Sequence, residues 1–420
     1  MNSSYEQKHP LYAASSNKRR KAMDLYEGGE RIEGNRAYLT RHTYESDKQY
    51  DIRASRATYR NFAAPIVDVF ASFINEGRPE RILPDALRPI EADADRYGMT
   101  ADAFFADVTR LAAAGGARFV IVDMEQKKGE TVAEDRASGR RMVPYFTSIS
   151  PDDVWDWGMD AKGLAWAVIH SEEMEHPAAF AAPLRYETLT VWTRDSWTRY
   201  RRPMKDKENT EYALTENGER RHGLGAVPLV PFLFEPTSPM TGLPATDDVL
   251  SLILRIYRRD SELDKMLFDR AVPLLNVGGV SQEHWDTFVV ASSNALMSTE
   301  PGGITAQYVE PVRHRVSGAG RSPCPRRGQR AGNRPSYGPS TDRRGRVRRV
   351  QGHRQNTARH AACQLRPAQR QRAEALCWKL AARWLGAKED GIEAKYNESY
   401  DVGEATVKIK GQTPVKESQG

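Results

Sequence analysis

The sequence has 420 residues, 39% of them hydrophobic and 28% charged, with a formal net charge of +6 and a mean hydropathy of −0.66. That length allows two or three domains, and no apolar run approaches the ~18 residues that span a bilayer. Three cysteines, Cys324, Cys363 and Cys377, make no CxxC pair, which excludes a disulfide scaffold or a Cys-rich zinc site and fits a reducing compartment.

In chain order, the N-terminal stretch MNSSYEQKHPLYAASSNKRR has no apolar core of the secretory kind, so no signal peptide is expected. The first ~40 residues read as a docking arm, with one helix from Lys18 to Tyr26 stopped at Gly28-Gly29. Ser46 with Gln49 three residues on is a capping-box pattern. Tyr59, Phe62, Ala63, Ile66, Val69, Phe70 and Phe73 then recur at helical spacing, with a kink or boundary expected at Pro65 and an end at Gly77. Thr100 is placed to cap a helix carrying Phe104, Val108, Leu111 and Ala112, which Gly115-Gly116 ends. Phe119–Asp123, FVIVD, reads as a buried strand, but no GxGxxG or P-loop lysine accompanies it.

From Pro144 to Phe234 the pattern is β. Strands are expected over Pro144–Ile149, Leu164–His170, Leu189–Tyr200 and Val227–Phe234, with Asn217-Gly218 as a hairpin turn. Trp155, Trp157, Trp166, Trp192 and Trp197 fall in this part and are expected to build a sheet core rather than a base-stacking platform. A long helix follows, with Thr246 as N-cap, Asp247 and Asp248 in the first turn, and Pro273 as its stop. Val249, Leu252, Ile253, Ile256, Tyr257 and Leu263 form its apolar stripe, while Arg255, Arg258, Arg259, Asp260, Glu262 and Lys265 mostly occupy the other side.

Residues 311–370 are anomalous. They hold sixteen arginines, no lysine and a single acid, Asp342, so this segment carries +15 and the other 360 residues −9. Their large aliphatics are Val312, Val316, Val347, Val350 and Leu365, too few to offset the entropy of ordering, and disorder is expected over 313–370. Three readings compete: a basic tail that binds phosphates without sequence preference, a flexible linker, or a stretch translated out of frame from a GC-rich gene. Helical spacing resumes with Ala373, Leu376, Cys377, Leu380, Ala381 and Trp384, and Gly386 follows as a stop.

Candidate chemistry is sparse. His170, Glu172, Glu173, Glu175 and His176 form a ligand-type cluster, HSEEMEH, without the HExxH order of a zinc helix, and read as a solvated loop after a strand. Asp152, Asp153, Asp156 and Asp160 are of the type that holds Mg²⁺ for phosphoryl transfer, but read as a polar turn. His314, His353 and His360 with Cys324 and Cys363 match no zinc-finger spacing. No catalytic residue, metal site or cofactor is expected. A hydrolase using Asp152, Asp153 or His170 would require loss of activity on Asp→Ala change.

The order of features resembles the portal proteins of tailed double-stranded DNA phages and prophages. The stretches that carry it are YLTRHTYESDKQYDIRASRATYRNFAAPIVDVFASFINEG (38–77), GGARFVIVD (115–123), VPYFTSISPDDVWDW (143–157), VPLVPFLFEP (227–236), DDVLSLILRIYRRDSELDKMLFDRAVPLLNVGG (247–279) and ARWLG (382–386). It covers most of 1–310 and, weakly, 371–405. The resemblance implies an α+β fold: a wing-like domain over 1–245, a stem-like helix over 246–271, a clip-like region over 272–312, the anomalous segment 313–370, and a C-terminal helix and tail over 371–420. It implies a non-enzymatic ring, usually a dodecamer, at one capsid vertex of the virion, assembled in the host cytoplasm. Double-stranded DNA passes through such a ring. Its partners are the terminase large subunit and the capsid, scaffold and head–tail connector proteins, with no membrane. Arg255, Arg258, Arg259, Glu262 and Lys265 then become candidates for a stem-helix oligomer surface. If the basic segment is genuine, Arg343, Arg344, Arg346, Arg348 and Arg349 become candidates for nonspecific phosphate binding, and a nucleic-acid-binding protein is the alternative function. The family expects amphipathic helix where 313–370 lies, and this chain departs from it there.

Overall fold

The computed structural model describes residues 4–43, 45–75, 77–125, 134, 137, 141–204, 212–271, 274–278, 305–309 and 369–396. Apart from residues 369 and 370, the anomalous segment lies outside the described residues, as do most of the clip-like region and the tail beyond 396. The fold is α+β, and every described strand pair is antiparallel. The chain divides into two compact units. One is drawn from 1–27, 61–250 and 350–420, the other from 28–60 and 251–349.

In the first unit, α1 (Pro10–Glu27) is longer at its N-terminal end than the sequence suggests. α2 (Asp47–Ala54) belongs to the second unit. α3 (Ala63–Ile74) carries Pro65 in its first turn, where a missing N–H costs nothing, so Pro65 marks a helix start rather than a kink. The short strand β1 (Glu80–Ile82) and α4 (Arg88–Ala92) lead to α5 (Ala101–Gly115). Thr100 caps α5 by accepting the Ala103 N–H at 3.3 Å.

Gly116 ends α5 at φ +87°, a left-handed conformation that favours glycine, and an added Cβ would lie 2.5 Å from the Gly242 carbonyl oxygen. Gly116→Ala is therefore expected to destabilise the unit by roughly 1–3 kcal/mol, since both the dihedral and the contact are violated. Urea unfolding checks it, and an unchanged midpoint would refute the close approach.

The helix feeds β2 (Ala117–Asp123), the centre of a three-stranded sheet with β3 (Tyr145–Ile149) and, later in the chain, β9 (Leu229–Leu233). β2 reads as a continuous apolar run because both of its faces are buried. Val120 and Val122 enter one core with Phe105, Phe146 and Phe232, while Ala117, Phe119 and Ile121 enter a second with the tryptophans.

That second core sits on a five-stranded meander of β4 (Val154–Asp160), β5 (Gly163–Glu175), β6 (Leu184–Thr193), β7 (Ser196–Pro203) and β8 (Ala213–Arg221). Trp155, Trp157, Trp192 and Trp197 are buried there, as expected of sheet-core aromatics, whereas Trp166 is only half-buried and stays outside that core. Two expectations need correction, and two strands went unread. Leu189–Tyr200 is not one strand, because Thr193 Oγ1 accepts the Ser196 N–H at 3.0 Å and turns the chain between β6 and β7. β4 and β8 carry too many charged or small residues to read as strands. Asn217-Gly218 is no hairpin turn: it lies within β8, where the pairing with β7 jumps from Thr198↔Glu219 to Tyr200↔Leu214 and makes a bulge.

β10 (Glu235–Pro236) and β11 (Gly242–Leu243) form a small hairpin before α6 (Leu250–Ala271). Thr246 does not cap that helix with its side chain. Its carbonyl accepts the Val249 and Leu250 N–H groups at 2.9 and 3.0 Å, and its buried Oγ1 makes no hydrogen bond among the described residues. β12 (Leu274–Gly278) pairs with β13 (Thr305–Val309).

The C-terminal helix α7 is described over 369–385, beginning two residues before the expected boundary. Cys377, Trp378, Leu380, Ala381 and Trp384 enter the first core, and the Trp384 indole N–H donates to the Val122 carbonyl at 2.9 Å. Gly386, at φ +65°, stops it. β14 (Glu393–Lys395) returns to pair with β1. Between these pieces lies a buried polar network. Arg81 Nε donates to Glu374 Oε1 at 2.6 Å, Trp378 Nε1 to the same oxygen at 3.2 Å, and the Tyr396 hydroxyl to Glu374 Oε2. Arg81 also pairs with Asp102. Burial, reinforced by the Glu374 charge, pushes the Tyr396 hydroxyl well above its ordinary value.

In the second unit the Ser46–Gln49 capping box forms in both directions, at 3.3 and 3.1 Å. One turn on, Arg53 meets Glu45 through two hydrogen bonds of 2.8 and 2.7 Å, and both side chains are buried. The bonds from Arg53 hold the Glu45 carboxyl at about 2, against 4.5 ordinarily. A depressed carboxyl stabilises the fold above its unfolded value, and that contribution drains away as pH falls through the folded one. This unit should therefore lose stability between about pH 4.5 and about 2. Glu45→Gln should lower stability at neutral pH and flatten this part of the acid titration, followed by tryptophan-independent circular dichroism. A slope unaltered by the substitution would refute the assignment.

Candidate functional site

Of the residues singled out on the long helix, the structure separates two sets. Ile253, Tyr257 and Ser261 form the buried row of α6. The Tyr257 hydroxyl donates to the Ile32 carbonyl at 3.3 Å, and its ring meets Tyr59 edge-on at 5.8 Å. Arg258 belongs with this inner set, since its Nε donates to the Tyr38 carbonyl at 2.8 Å. Arg255, Arg259 and Glu262 are exposed, and Lys265 is half-buried. The apolar stripe read from sequence splits the same way: Leu252 and Leu263 are exposed, and Met266 and Leu267 extend them. The outward face of α6 thus presents leucine and methionine side chains between charges, an arrangement suited to packing on another surface rather than to water alone. Phe268 is covered on one side by the Arg56 guanidinium, 3.6 Å from its ring centre. Arg343, Arg344, Arg346, Arg348 and Arg349 lie outside the described residues.

The clusters of ligand type resolve into structural roles. HSEEMEH is not a loop after a strand; most of it is the distal half of β5, paired with β6 from His170↔Leu189 to Glu175↔Leu184. The sequence concealed this because alternating glutamates on a solvated strand look like a loop. His170 stacks on Trp155, with ring centres 4.3 Å apart, and hydrogen-bonds Glu187 at 3.0 Å. Arg202, buried, joins the other Glu187 oxygen at 2.7 Å and reaches Glu6 at 2.8 Å. Glu172 and Glu173 pair with Arg185 and Arg199 at 2.9 and 3.4 Å, and Glu175 pairs with Arg201.

The aspartates are separately engaged as well. Asp152 holds Arg19 at 2.5 Å, Asp153 accepts the His170 N–H through its carbonyl at 2.7 Å, and Asp160 holds Arg194 at 2.6 Å. Hydrogen bonds from Arg194 keep the Asp160 carboxyl down at about 2. Among the described residues, no group of three or more His, Cys, Asp or Glu is arranged to hold a metal, and no helix is long and apolar enough to cross a membrane.

Sequence reading missed the way the N-terminal arm is held. Residues 5–12 lie on the meander, with the His9 ring stacked 4.0 Å from Trp157, Lys8 Nζ 4.3 Å over Trp155, and the His9 N–H donating to the Trp155 carbonyl at 2.9 Å. His222 is held by two backbone groups: Nδ1 accepts the Leu224 N–H at 3.2 Å, so Nε2 carries the proton toward the Thr193 carbonyl, also at 3.2 Å. Burial lowers its pKa and favours this neutral form. The first unit also contains an open cavity of about 550 Å³, walled by α3, α5, β9 and the start of α7.

No family model and no curated protein matches this sequence. Solved structures similar to it include a chain from the neck of a native gene transfer agent (GTA) particle computed with C12 symmetry. That match has 12% identity and a TM-score of 0.30, and covers 66% of this chain and 64% of that one. A chain from the virion of a native GTA particle matches at 13% identity and a TM-score of 0.30, covering 70% and 67%. A chain from the neck of an empty GTA particle computed with C6 symmetry matches at 12% and 0.29, covering 60% and 58%. The chain thus spans less than two thirds of the first and third of these relatives. The class defined by the structure is an α+β protein of two compact units.

Proposed function

We propose that this chain is a ring-forming structural subunit of the portal class, placed at a capsid vertex where double-stranded DNA passes during packaging and ejection. The observation that carries the reading is the outward face of α6, where Leu252, Leu263, Met266 and Leu267 stand in water beside Arg255, Arg259 and Glu262. A row of this kind on a 22-residue helix, about 33 Å long, gains by packing against a copy of itself or a neighbour in a ring. The ordered series of portal-like segments supports it, because the quoted stretches fold here into α3, β2, β3, β9 and α6. Charge agrees as well: outside 311–370 the chain carries −9, and a channel that lets DNA slide must not grip phosphate. Terminase, capsid and connector proteins are the partners this role requires, and the virion is its location.

The test is negative-stain microscopy and mass photometry of the full chain from submicromolar to tens of micromolar concentration. Rings of one size with a central hole are expected. A monomer throughout that range would overturn the reading. The sixteen arginines of 311–370 favour a second reading, DNA binding. It predicts affinity that falls steeply with salt and vanishes when 313–370 is deleted.

A further inference from the structure

Among the described residues, β9 is an edge strand. It pairs with β2 alone, at the end of the strand order β3-β2-β9. The Phe234 N–H donates to the Gly116 carbonyl at 3.0 Å, and the Pro228 carbonyl accepts the Val122 N–H at 2.9 Å. The alternation of an antiparallel ladder then turns the backbone groups of Leu229, Pro231 and Leu233 away from β2. Among the described residues, none hydrogen-bonds to these three backbones. Pro231 sits where its missing N–H costs the ladder nothing.

This bare edge is one wall of the open cavity of about 550 Å³. Five consecutive residues, from Val230 to Phe234, line it. A sheet face would contribute alternate residues only, so a consecutive run marks the side of the strand. Ile74, Ala112 and Leu376 make other parts of the wall apolar. Two N–H groups and three carbonyls beside an apolar recess call for backbone partners, and the occupant that supplies them is an extended peptide rather than a small molecule or a helix.

The chain carries such a peptide close by. Tyr396, which follows β14, is held at the start of α7: its carbonyl accepts a Gln371 Nε2 hydrogen bond at 3.4 Å, and the Arg370 guanidinium lies 4.1 Å from its ring centre. Arg370 is itself part of the cavity wall. Further along the sequence, Ala405–Lys410 reads ATVKIK, strict alternation with three β-branched residues, the pattern of a half-buried strand. From Tyr396 to Ala405 an extended chain reaches roughly 30 Å, enough to pass the first turns of α7. The connecting stretch 397–404 holds Glu398, Asp401 and Glu404 and no basic residue. Arg372 stands exposed at the side of the cavity, without an ion pair among the described residues.

We propose that Ala405–Lys410 of the same chain adds a fourth strand to the open edge of β9 and closes the cavity. Ala405, Val407 and Ile409 then extend the apolar layer of Val230 and Phe232, Thr406, Lys408 and Lys410 face water, and the acidic connection passes Arg372. The added strand would also cover an edge that otherwise offers itself for pairing between copies. The inference does not rest on the ring reading, since a chain that stays monomeric can carry it equally well.

The test is amide hydrogen exchange, resolved by residue, on the full chain and on its Val407→Pro and Ile409→Asp variants. The Leu229 and Leu233 amides should exchange at least tenfold faster in both variants than in the wild type. The Val120 and Val122 amides, inside the sheet, should not change, which shows that the unit stays folded. Equal exchange at Leu229 and Leu233 in all three proteins would overturn the proposal. The photo-crosslinking residue p-benzoylphenylalanine at position 407, in a mixture of isotopically light and heavy full-length chains, identifies the donor. Crosslinks to residues 230–239 or 369–376 within one chain are expected. Crosslinks joining light to heavy chains at the same residues would mean that the tail of a second copy fills the cavity, and crosslinks elsewhere or none would mean that no tail does; each of these overturns the assignment.

Discussion

Replacing Arg81 by Met is expected to destabilise the first unit by about 3–5 kcal/mol, because it leaves the fully buried Glu374 carboxylate without its cation. The two remaining donors, Trp378 Nε1 and the Tyr396 hydroxyl, neutralise no charge. Adding Glu374→Gln removes the stranded charge while keeping an acceptor for the tryptophan or tyrosine, and should recover more than half of the loss. Chemical denaturation of the three proteins at pH 7 checks this. A loss below about 1 kcal/mol would show that the pair is solvated.

Trp378→Ala is expected to cost a further large amount, about 3–5 kcal/mol, for a different reason. The indole is wholly buried, meets Phe146 edge-on at 5.2 Å and lies 6.3 Å from Phe105. Its removal opens a cavity among residues drawn from α5, β3 and β9, which are themselves fixed by the sheet and cannot close in. Trp378→Phe keeps most of the volume and forfeits the bond to Glu374, so it should cost roughly 1–3 kcal/mol. A near-wild-type midpoint for Trp378→Ala would mean that α7 does not occupy this core. The same measurement bears on the anomalous segment. Residues translated out of frame have no reason to fit a core, so a large loss here would mean that the native frame is in force by 369–385.

Local signals carried much of the fold in the sequence. Thr100 and Gly116 bracket α5 where cap chemistry puts them, Ser46 and Gln49 form their box, and the tryptophans build the core of the meander. What failed was information that is not local. β4 and β8 are strands because neighbours complete their ladders, and Asn217-Gly218 yields its turn preference to a bulge against β7. Thr246 caps through its carbonyl rather than its hydroxyl. Of the helix residues read as a surface, Arg258 turns inward to donate to the Tyr38 carbonyl, and nothing in the sequence announces that contact. The tip of the β5–β6 hairpin was not singled out from the sequence, because only the backbone shows Phe180 there at φ +65°.

The pairing of Arg81 with Glu374 spans 293 residues of sequence. At synthesis rates of about 5–20 residues per second, the ribosome needs roughly 15–60 s to supply the second member after the first has emerged. Through that interval β1 lacks its partner strand and the Phe105–Phe146 surface lacks its tryptophan. The core cannot close early, and a nascent chain cut short or shifted out of register has a sticky, half-built sheet to offer chaperones and proteases. Placing this wedge 293 residues after the strand it fixes makes folding itself a proofreading step for everything translated in between.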